Sequence, residues 1–393
     1  MKLAIQRFFS NIATFFSSLF KGEIRVHIVK RENCPLWKRT CFYLSAVLAA
    51  LIIGVIVLLA IDVNPFQYYF QMFSMGTIGN KIAYKTVINY LKEFVPLALT
   101  SIALSLSFKM RFWNIGGEGQ FIMGALAAAT VAFQLGPILP NFLTVLIMCA
   151  VAMLVAGAYG LIVALLKVKF GTNETLMTLM LNYVALYLLI FIGEKKADWN
   201  FFLQEESLRP VFKSFADLAS FASIPFGSKF SLNICVLLTF AIAALVYFYL
   251  KKTKHGYEIS VVGDSIGTAS YAGMKVKWII LRTVFLSAAL IGLAAAFKVG
   301  TAGVLSTAIT DDVGWTGIIV AWLSQLNTPM ILLVSALICL LQHGSTVAAA
   351  EFANVDSSFA NMLQGVILFL VLAADFFIRF RIVIAKKGDS NNG

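Results

Sequence analysis

Charge is scarce in this chain. Only 13% of its 393 residues are Asp, Glu, Lys or Arg, against 60% that are hydrophobic, whereas soluble domains carry roughly a quarter charged residues. A water-soluble globule of this length has nowhere to hide that much apolar surface. Cysteine is also sparse. Cys34, Cys41, Cys149, Cys235 and Cys339 are odd in number, lie mostly in or beside apolar runs and lack metal-ligand spacing, which points to neither a disulfide framework nor a zinc site. The three histidines, His27, His255 and His343, are scattered. With no GxxxxGK[ST] phosphate loop and no Ser-His-Asp constellation, ATP hydrolysis by the P-loop route and intramembrane enzyme chemistry both lack their residues. The first twenty residues lack the small-residue cleavage site of a signal peptide.

What the chain has in abundance is unbroken apolar sequence, with a mean hydropathy of +0.86. Bilayer hydrocarbon cannot hydrogen-bond a bare amide, so a spanning chain must be helical or a closed barrel. Runs such as 42–61 (FYLSAVLAALIIGVIVLLAI) lack the alternation of barrel strands and predict helices. The expected fold class is an all-α polytopic membrane protein with about ten transmembrane helices, some broken or re-entrant. They are expected at 41–61, 94–110, 118–135, 141–165, 175–193, 231–250, 279–297, 314–326, 329–343 and 361–379. The eighth and ninth are short and can form a re-entrant pair. With the N-terminus inside, this threading leaves 22 Lys and Arg on the inner side and 9 on the outer, the asymmetry of the positive-inside rule. Both termini are then expected in the cytoplasm. The formal net charge of +12 sits at the ends of apolar runs, which reads as topology and not as nucleic-acid binding.

The chain divides into a cytoplasmic segment over 1–39, a transmembrane domain over 40–382 and a polar cytoplasmic tail over 383–393. In the first of these, Ile5, Phe8, Phe9, Ile12, Phe15, Phe16, Leu19 and Phe20 follow the spacing of one helical face. That stripe suits a helix in the membrane interface or one packed on the transmembrane body. Residues 194–230, punctuated by Trp199, Pro210 and Pro225, form an expected extracytoplasmic cap. Residues 251–278 open on the basic run KKTKH and are too polar to span. They are too regular for a tether, and predict a short helix lying against a cytosolic partner.

Three stretches carry functional character. The first, FWNIGGEGQFIMGA at 112–125, fits a break between helices at membrane depth, because its glycines allow close backbone approach while Asn114, Glu118 and Gln120 satisfy freed amides or face a wet pathway. A charge near a span's centre costs about 2.5 to 3.5 kcal/mol on insertion scales, which directs Glu118 toward protein or water. Two readings stay open for Glu118 and Gln120: capping a helix start, or touching solute. The second stretch is TNETLMTLMLNYVA at 172–185. There Asn173 and Glu174 stand where a helix cap and a dipole-matched acid belong, and Asn182 lies two turns into an apolar span as an interhelical bond or a pathway-lining group. The third is GDSIGTASYAGMKVKWIILRTVFLSAALIG at 263–292, whose Gly263 and Gly273 are expected to bound a short helix carrying Asp264, Ser265, Thr268, Ser270 and Tyr271, with Lys275 just beyond.

Together these stretches resemble the permeases of bacterial ABC importers, in the branch that handles nucleosides and related solutes, distantly similar to ribose and branched-chain amino-acid permeases. The resemblance runs from about residue 64, where an extended NPFQYYFQMF precedes the first motif, to about residue 382, including LQGVILFLVLAAD at 363–375. The chain departs from the pattern at SAAL, and at GWTGIIVAWLSQLNTP over 314–329, which lacks the acidic residue and the Gly-Arg-Asn-Asn run usual there. The resemblance implies a multi-pass protein of the bacterial cytoplasmic membrane with no cofactor of its own. ATP and Mg would be held by a partner ATPase subunit. The expected partners are that ATPase, a second permease subunit in a homo- or heterodimer, an extracytoplasmic solute-binding lipoprotein, a small-molecule solute and the bilayer, with no nucleic acid. The resemblance makes Asn114, Glu118, Gln120, Asn173, Glu174 and Asn182 pathway candidates. It makes Gly263, Asp264, Ser265, Thr268, Tyr271, Gly273 and Lys275 the ATPase-coupling candidates. Purine nucleosides lead as cargo, with riboflavin-like vitamins and simple sugars behind them. An ion-driven secondary transporter would share the helical body and broken spans, but embedded carboxylates are few and the large polar loop would then have no task. Asp311 and Asp312 are expected in an outer loop, either touching the binding protein or merely solvated.

Overall fold

A computed structural model describes residues 24–31, 35–78, 83–226, 230–352, 355 and 358–386. Thirteen helices are found among them: α1 Leu36–Ala60, α2 Pro65–Ser74, α3 Ala83–Lys109, α4 Gly117–Leu135, α5 Asn141–Phe170, α6 Glu174–Glu194, α7 Ile234–Lys252, α8 Lys254–Asp264, α9 Ile266–Tyr271, α10 Val276–Ala302, α11 Val313–Leu323, α12 Thr328–Ala349 and α13 Ser358–Arg379. Four short strands accompany them: β1 Ile24–Lys30, β2 Ser223–Phe226, β3 Phe230–Asn233 and β4 Phe380–Lys386. Eight of the helices are long and apolar enough to cross a membrane. The protein is thus an all-α, multi-pass membrane protein. The amphipathic stripe over residues 5–20 lies outside the described residues.

The chain forms two compact units. The smaller, residues 1–61 with 362–393, holds α1, most of α13 and an antiparallel ribbon in which β1 pairs with β4, from Ile24 opposite Lys386 to Lys30 opposite Phe380. Tyr43 of α1 donates to Asp375 of α13 at 3.1 Å, and Arg379 completes an i, i+4 pair with the same carboxylate at 2.7 Å. The ribbon joins two terminal stretches that the sequence reading kept apart.

The larger unit, residues 62–361, is organised around α3 and α10. The apolar window of α3 is 83% buried and that of α10 is 61%, against 28% for the lipid-facing α6. Small residues set the spacing: Ala152 and Ala156 of α5 and Ala288 and Ala295 of α10 are fully buried, which lets helix backbones approach closely where no hydrophobic force drives association. Polar bonds pin the crossings, with Ser287 of α10 donating to the Ala103 carbonyl of α3 at 2.7 Å and Tyr159 of α5 donating to the Leu181 carbonyl of α6 at 2.7 Å.

Two elements differ from the sequence reading. The segment at 64–73 is not extended. Asn64 caps it, accepting from the Phe66 and Gln67 amides at 3.0 and 3.4 Å, Pro65 opens the helix, and Tyr68 and Met72 are fully buried. The Tyr68 hydroxyl meets Ser345 of α12 at 2.5 Å, which also explains why α12 runs to Ala349 when hydropathy alone stops at 343: His343 and Ser345 are buried against neighbouring helices. The expected re-entrant pair is therefore one full-length helix and one half-helix. At 11 residues, α11 is about 16 Å long, half of a bilayer core. The rest of that traverse is irregular chain over 303–312.

The described part of the cap, residues 194–226, is folded onto the end of α10. Phe215, 1% exposed, packs edge-on against Phe133 at 5.2 Å, and its amide donates to the Gly303 carbonyl at 2.8 Å.

Candidate functional site

The seven residues between α3 and α4 turn back into the body of the protein and are held there by side-chain amides. Asn114 and Gln120 bond reciprocally, Nδ2 to Oε1 at 3.1 Å and Nε2 to Oδ1 at 3.0 Å, and Asn114 Oδ1 also accepts from the Gly116 amide at 3.1 Å. Across the gap, Asn182 of α6 donates to the Ile115 carbonyl at 2.9 Å and accepts from the Gly119 amide at 2.8 Å. Thr178, one turn earlier, accepts from the Ile115 amide at 3.2 Å and returns its own proton to the Glu174 carbonyl at 2.8 Å. Irregular backbone at membrane depth is stable only where such partners replace the lost helical bonds. Asn114 is fully buried, Gln120 is 2% exposed and Asn182 is 5% exposed.

Glu118 faces a different neighbour. Its Oε2 accepts from the Gly314 amide at 2.8 Å, in the first turn of α11. A helix start is electropositive and has free N–H groups, so a buried carboxylate there is matched on both counts. Gly314 allows the approach: a Cβ at this position would sit 2.4 Å from the Glu118 nitrogen and 2.6 Å from its Cα. The far end of α11 is fastened by rings, with Trp322 stacked on Trp113 at 5.2 Å and tilted against Phe108 at 5.8 Å. The remaining pathway candidates serve helix α6. Asn173 accepts from the Thr175 and Leu176 amides at 3.0 and 3.3 Å, while Glu174 forms an ion pair with Lys167, at the end of α5. The structure thus brings Asn114, Gln120 and Asn182 into one cluster, puts Glu118 beside it and leaves Asn173 as an exposed cap.

The polar segment after α7 is built from two helices where one was expected. Asp264 ends α8, and Ser265 breaks the path and caps α9, its hydroxyl accepting from the Thr268 amide at 3.2 Å. Thr268 therefore contributes its backbone to the cap. Gly273, at φ +75°, makes the turn into α10, and Lys275 stands just before that helix. Gly263 lies inside α8 and does not bound α9. Its Cα side is pressed so closely on the end of α3 that a Cβ would fall 2.0 Å from the Lys109 carbonyl oxygen. Of residues 264–273 only Ala269 is buried, and Tyr271 is 96% exposed.

A residue cluster with no signature in the sequence ties this segment to α10. Glu258 of α8 accepts from Arg282 of α10 at 3.0 Å and lies 3.3 Å from His255. Partial burial would push the Glu258 carboxyl up, but the Arg282 guanidinium and His255 outweigh it and hold the carboxyl below the usual carboxylate range. The partners are 24 and 3 residues away, on an element whose orientation only the folded chain defines.

Comparison with known proteins agrees with this architecture. The family described as branched-chain amino acid transport system permease component matches residues 86–372. The chain is 29% identical over 378 residues to a glucose ABC transporter permease protein of Haloferax volcanii, covering 94% of this chain and 96% of that one. It is 29% identical over 310 residues to a guanosine ABC transporter permease protein of Bacillus subtilis, covering 77% and 84%. It is 25% identical over 349 residues to a nucleoside ABC transporter permease protein of Lactococcus lactis, covering 87% and 93%. No solved structure matches it. Because the family match takes in every buried motif and the polar segment at 254–275, and well over half of the chain, this protein belongs to the family of permease components of branched-chain amino acid transport systems.

Proposed function

We propose that the chain is the membrane subunit of an ABC importer for nucleoside-like solutes, working by alternating access under the drive of a separate ATPase that docks on α8 and α9. The relatives named for guanosine, nucleosides and glucose support the cargo class, with nucleosides first and sugars second. The observation that carries the coupling is the exposed α8–α9 ledge with its rigid seat on α3. Tyr271 and Ile266 project from it at 96% and 58% exposure, a pair of apolar knobs on a polar surface such as a groove in a partner would receive.

Force applied to the ledge has a path inward. Gly263 abuts the Lys109 carbonyl of α3, Arg282 links α8 to α10, and among the helices of the larger unit long and apolar enough to cross a membrane these two are the most buried. A tilt of the ledge thus reaches α3, against which α11 is packed. In this reading Asn114, Gln120, Asn182, Asn173 and Glu174 hold pathway walls in register, and Glu118 fixes where α11 begins. The ATPase supplies ATP and Mg, a second permease copy or relative completes the pathway, and an outer binding protein delivers solute. Both termini and the ledge face the cytoplasm.

Charge reversal at Asp264 together with Lys275 tests the coupling. Solute-stimulated ATP hydrolysis by the assembled transporter should fall at least about tenfold with membrane insertion intact, about 1.4 kcal/mol of lost docking. Stimulation equal to wild type would remove the ledge from the mechanism.

A further inference from the structure

At the opposite ends of α3 and α10 from the ledge lies a polar cavity beside the break before α11. Glu93 of α3, Lys298 of α10, Asp311, Asp312 and Thr316 around the start of α11, and Gln342 of α12 line it. Glu93 is 16 residues before Lys109, about 24 Å along the helix, and Lys298 is 22 residues after Val276, about 33 Å. The cavity and the ledge therefore stand at opposite membrane faces. Irregular backbone within a membrane protein is found where it lines a water-filled or ligand-binding space, and the stretch over 303–312 fits that rule.

The lining chemistry narrows the occupant. Three carboxylates face one ammonium, and that ammonium is already committed, Lys298 donating to Asp311 at 2.7 Å. Glu93 takes one bond from the buried His343, whose Nδ1 lies 3.1 Å away, and its own side chain stays 40% exposed. The Nε2 of His343 has no hydrogen-bond partner among the described residues. The start of α11, which would otherwise attract an anion, is answered by Glu118. The cavity is thus rich in acceptors and carries an excess of negative charge, so it suits a ligand that brings hydrogen-bond donors and repels one that brings a phosphate. Among the described residues no three His, Cys, Asp or Glu side chains converge to hold a metal ion, which favours a donor-bearing organic solute over a divalent cation.

We infer that this cavity is a solute subsite on the outer face, where Glu93 and Asp312 accept hydrogen bonds from the vicinal hydroxyls of a neutral solute. A carboxylate presents two acceptor oxygens to two neighbouring hydroxyls, the arrangement by which acidic residues read a ribose. The inference rests on the permease reading above and deepens it: the diol, and not the base, is what the permease itself selects, and phosphorylated forms are excluded by charge.

The test uses the purified full-length chain in detergent, so that no binding protein sets the affinity, and reads apparent affinity from the concentration dependence of the melting temperature. The probes are inosine, 2′,3′-dideoxyinosine, inosine 5′-monophosphate and glucose. Inosine should raise the melting temperature, with little response to the dideoxy or phosphorylated forms. Asp312→Asn and Glu93→Gln should each weaken inosine at least about tenfold, the scale of one charged hydrogen bond. Asp312 has φ +56°, and asparagine tolerates that backbone region as aspartate does, so the first variant is expected to fold; its melting temperature without ligand checks this. Equal responses to inosine and its dideoxy form, an inosine response that survives both substitutions, or no response to any probe would each overturn the subsite. Inosine uptake by cells with no melting response would sink the subsite and leave the transport reading standing. A melting response to glucose without cellular uptake of inosine would keep the subsite and sink the nucleoside cargo.

Discussion

Asn182 decides whether the turn into α4 holds, because one side chain serves both a carbonyl and an amide that no helix satisfies. Asn182→Ala leaves the Ile115 carbonyl and the Gly119 amide unpaired in a dry interior, at a cost of about 1–3 kcal/mol, read as a lower melting temperature in detergent. A variant as stable as wild type would show that water reaches the turn. Gly314→Ala makes the complementary point: the new Cβ meets the backbone of Glu118, so α11 must move, with an overpacking cost of about 1–3 kcal/mol. Transport by this variant should fall even at temperatures where it stays folded, and full transport would contradict the role given to Glu118. The sequence made these residue types visible as unusual polar groups in apolar runs. It could not show which atoms meet, since Gly119 and Asn182 are 63 residues apart, and the capping reading and the solute-contact reading look alike until the partners are seen.

At the scale of elements, the joint between α8 and α10 is electrostatic and should respond to acid. The Glu258 carboxyl is depressed in the folded protein, so its contribution is complete above the unfolded carboxylate value of about 4.3 and is lost as pH falls through the lower folded value. Protection of the α8 amides in the wild type, taken relative to the intrinsic exchange rate at each pH, should therefore fall on acidification from about pH 5 to about pH 3. In Glu258→Gln that protection should be low already at neutral pH and change little on acidification. Identical profiles would show that Arg282 does not hold α8. Spans were the most legible elements, because a long apolar run has one solution in a membrane. Breaks were less so: α2 reads as extended until Tyr68 and Met72 are seen buried, and the single expected helix after α7 becomes two because Ser265 offers a cap that spacing alone does not reveal. The alternation that opens IRVHIVK and the β-branched run inside FRIVIAK are strand signals at the two ends of a helical chain.

At the scale of the whole molecule, the larger unit has the exposed α8–α9 ledge at one end of α3 and α10 and an acceptor-lined cavity toward the other. The proposed alternating access requires such a separation, with motor and cargo addressing different ends of the same two helices. Drive by a cytoplasmic motor therefore depends on the ledge lying in the cytoplasm. The direct measurement is labelling by a membrane-impermeant maleimide of Tyr271→Cys in a chain otherwise stripped of cysteine, with Leu208→Cys on the exposed cap as the opposite-face reference. In intact cells position 208 should react and position 271 should not, with 271 labelled once the membrane is permeabilised. Labelling of position 271 from outside intact cells would contradict the account.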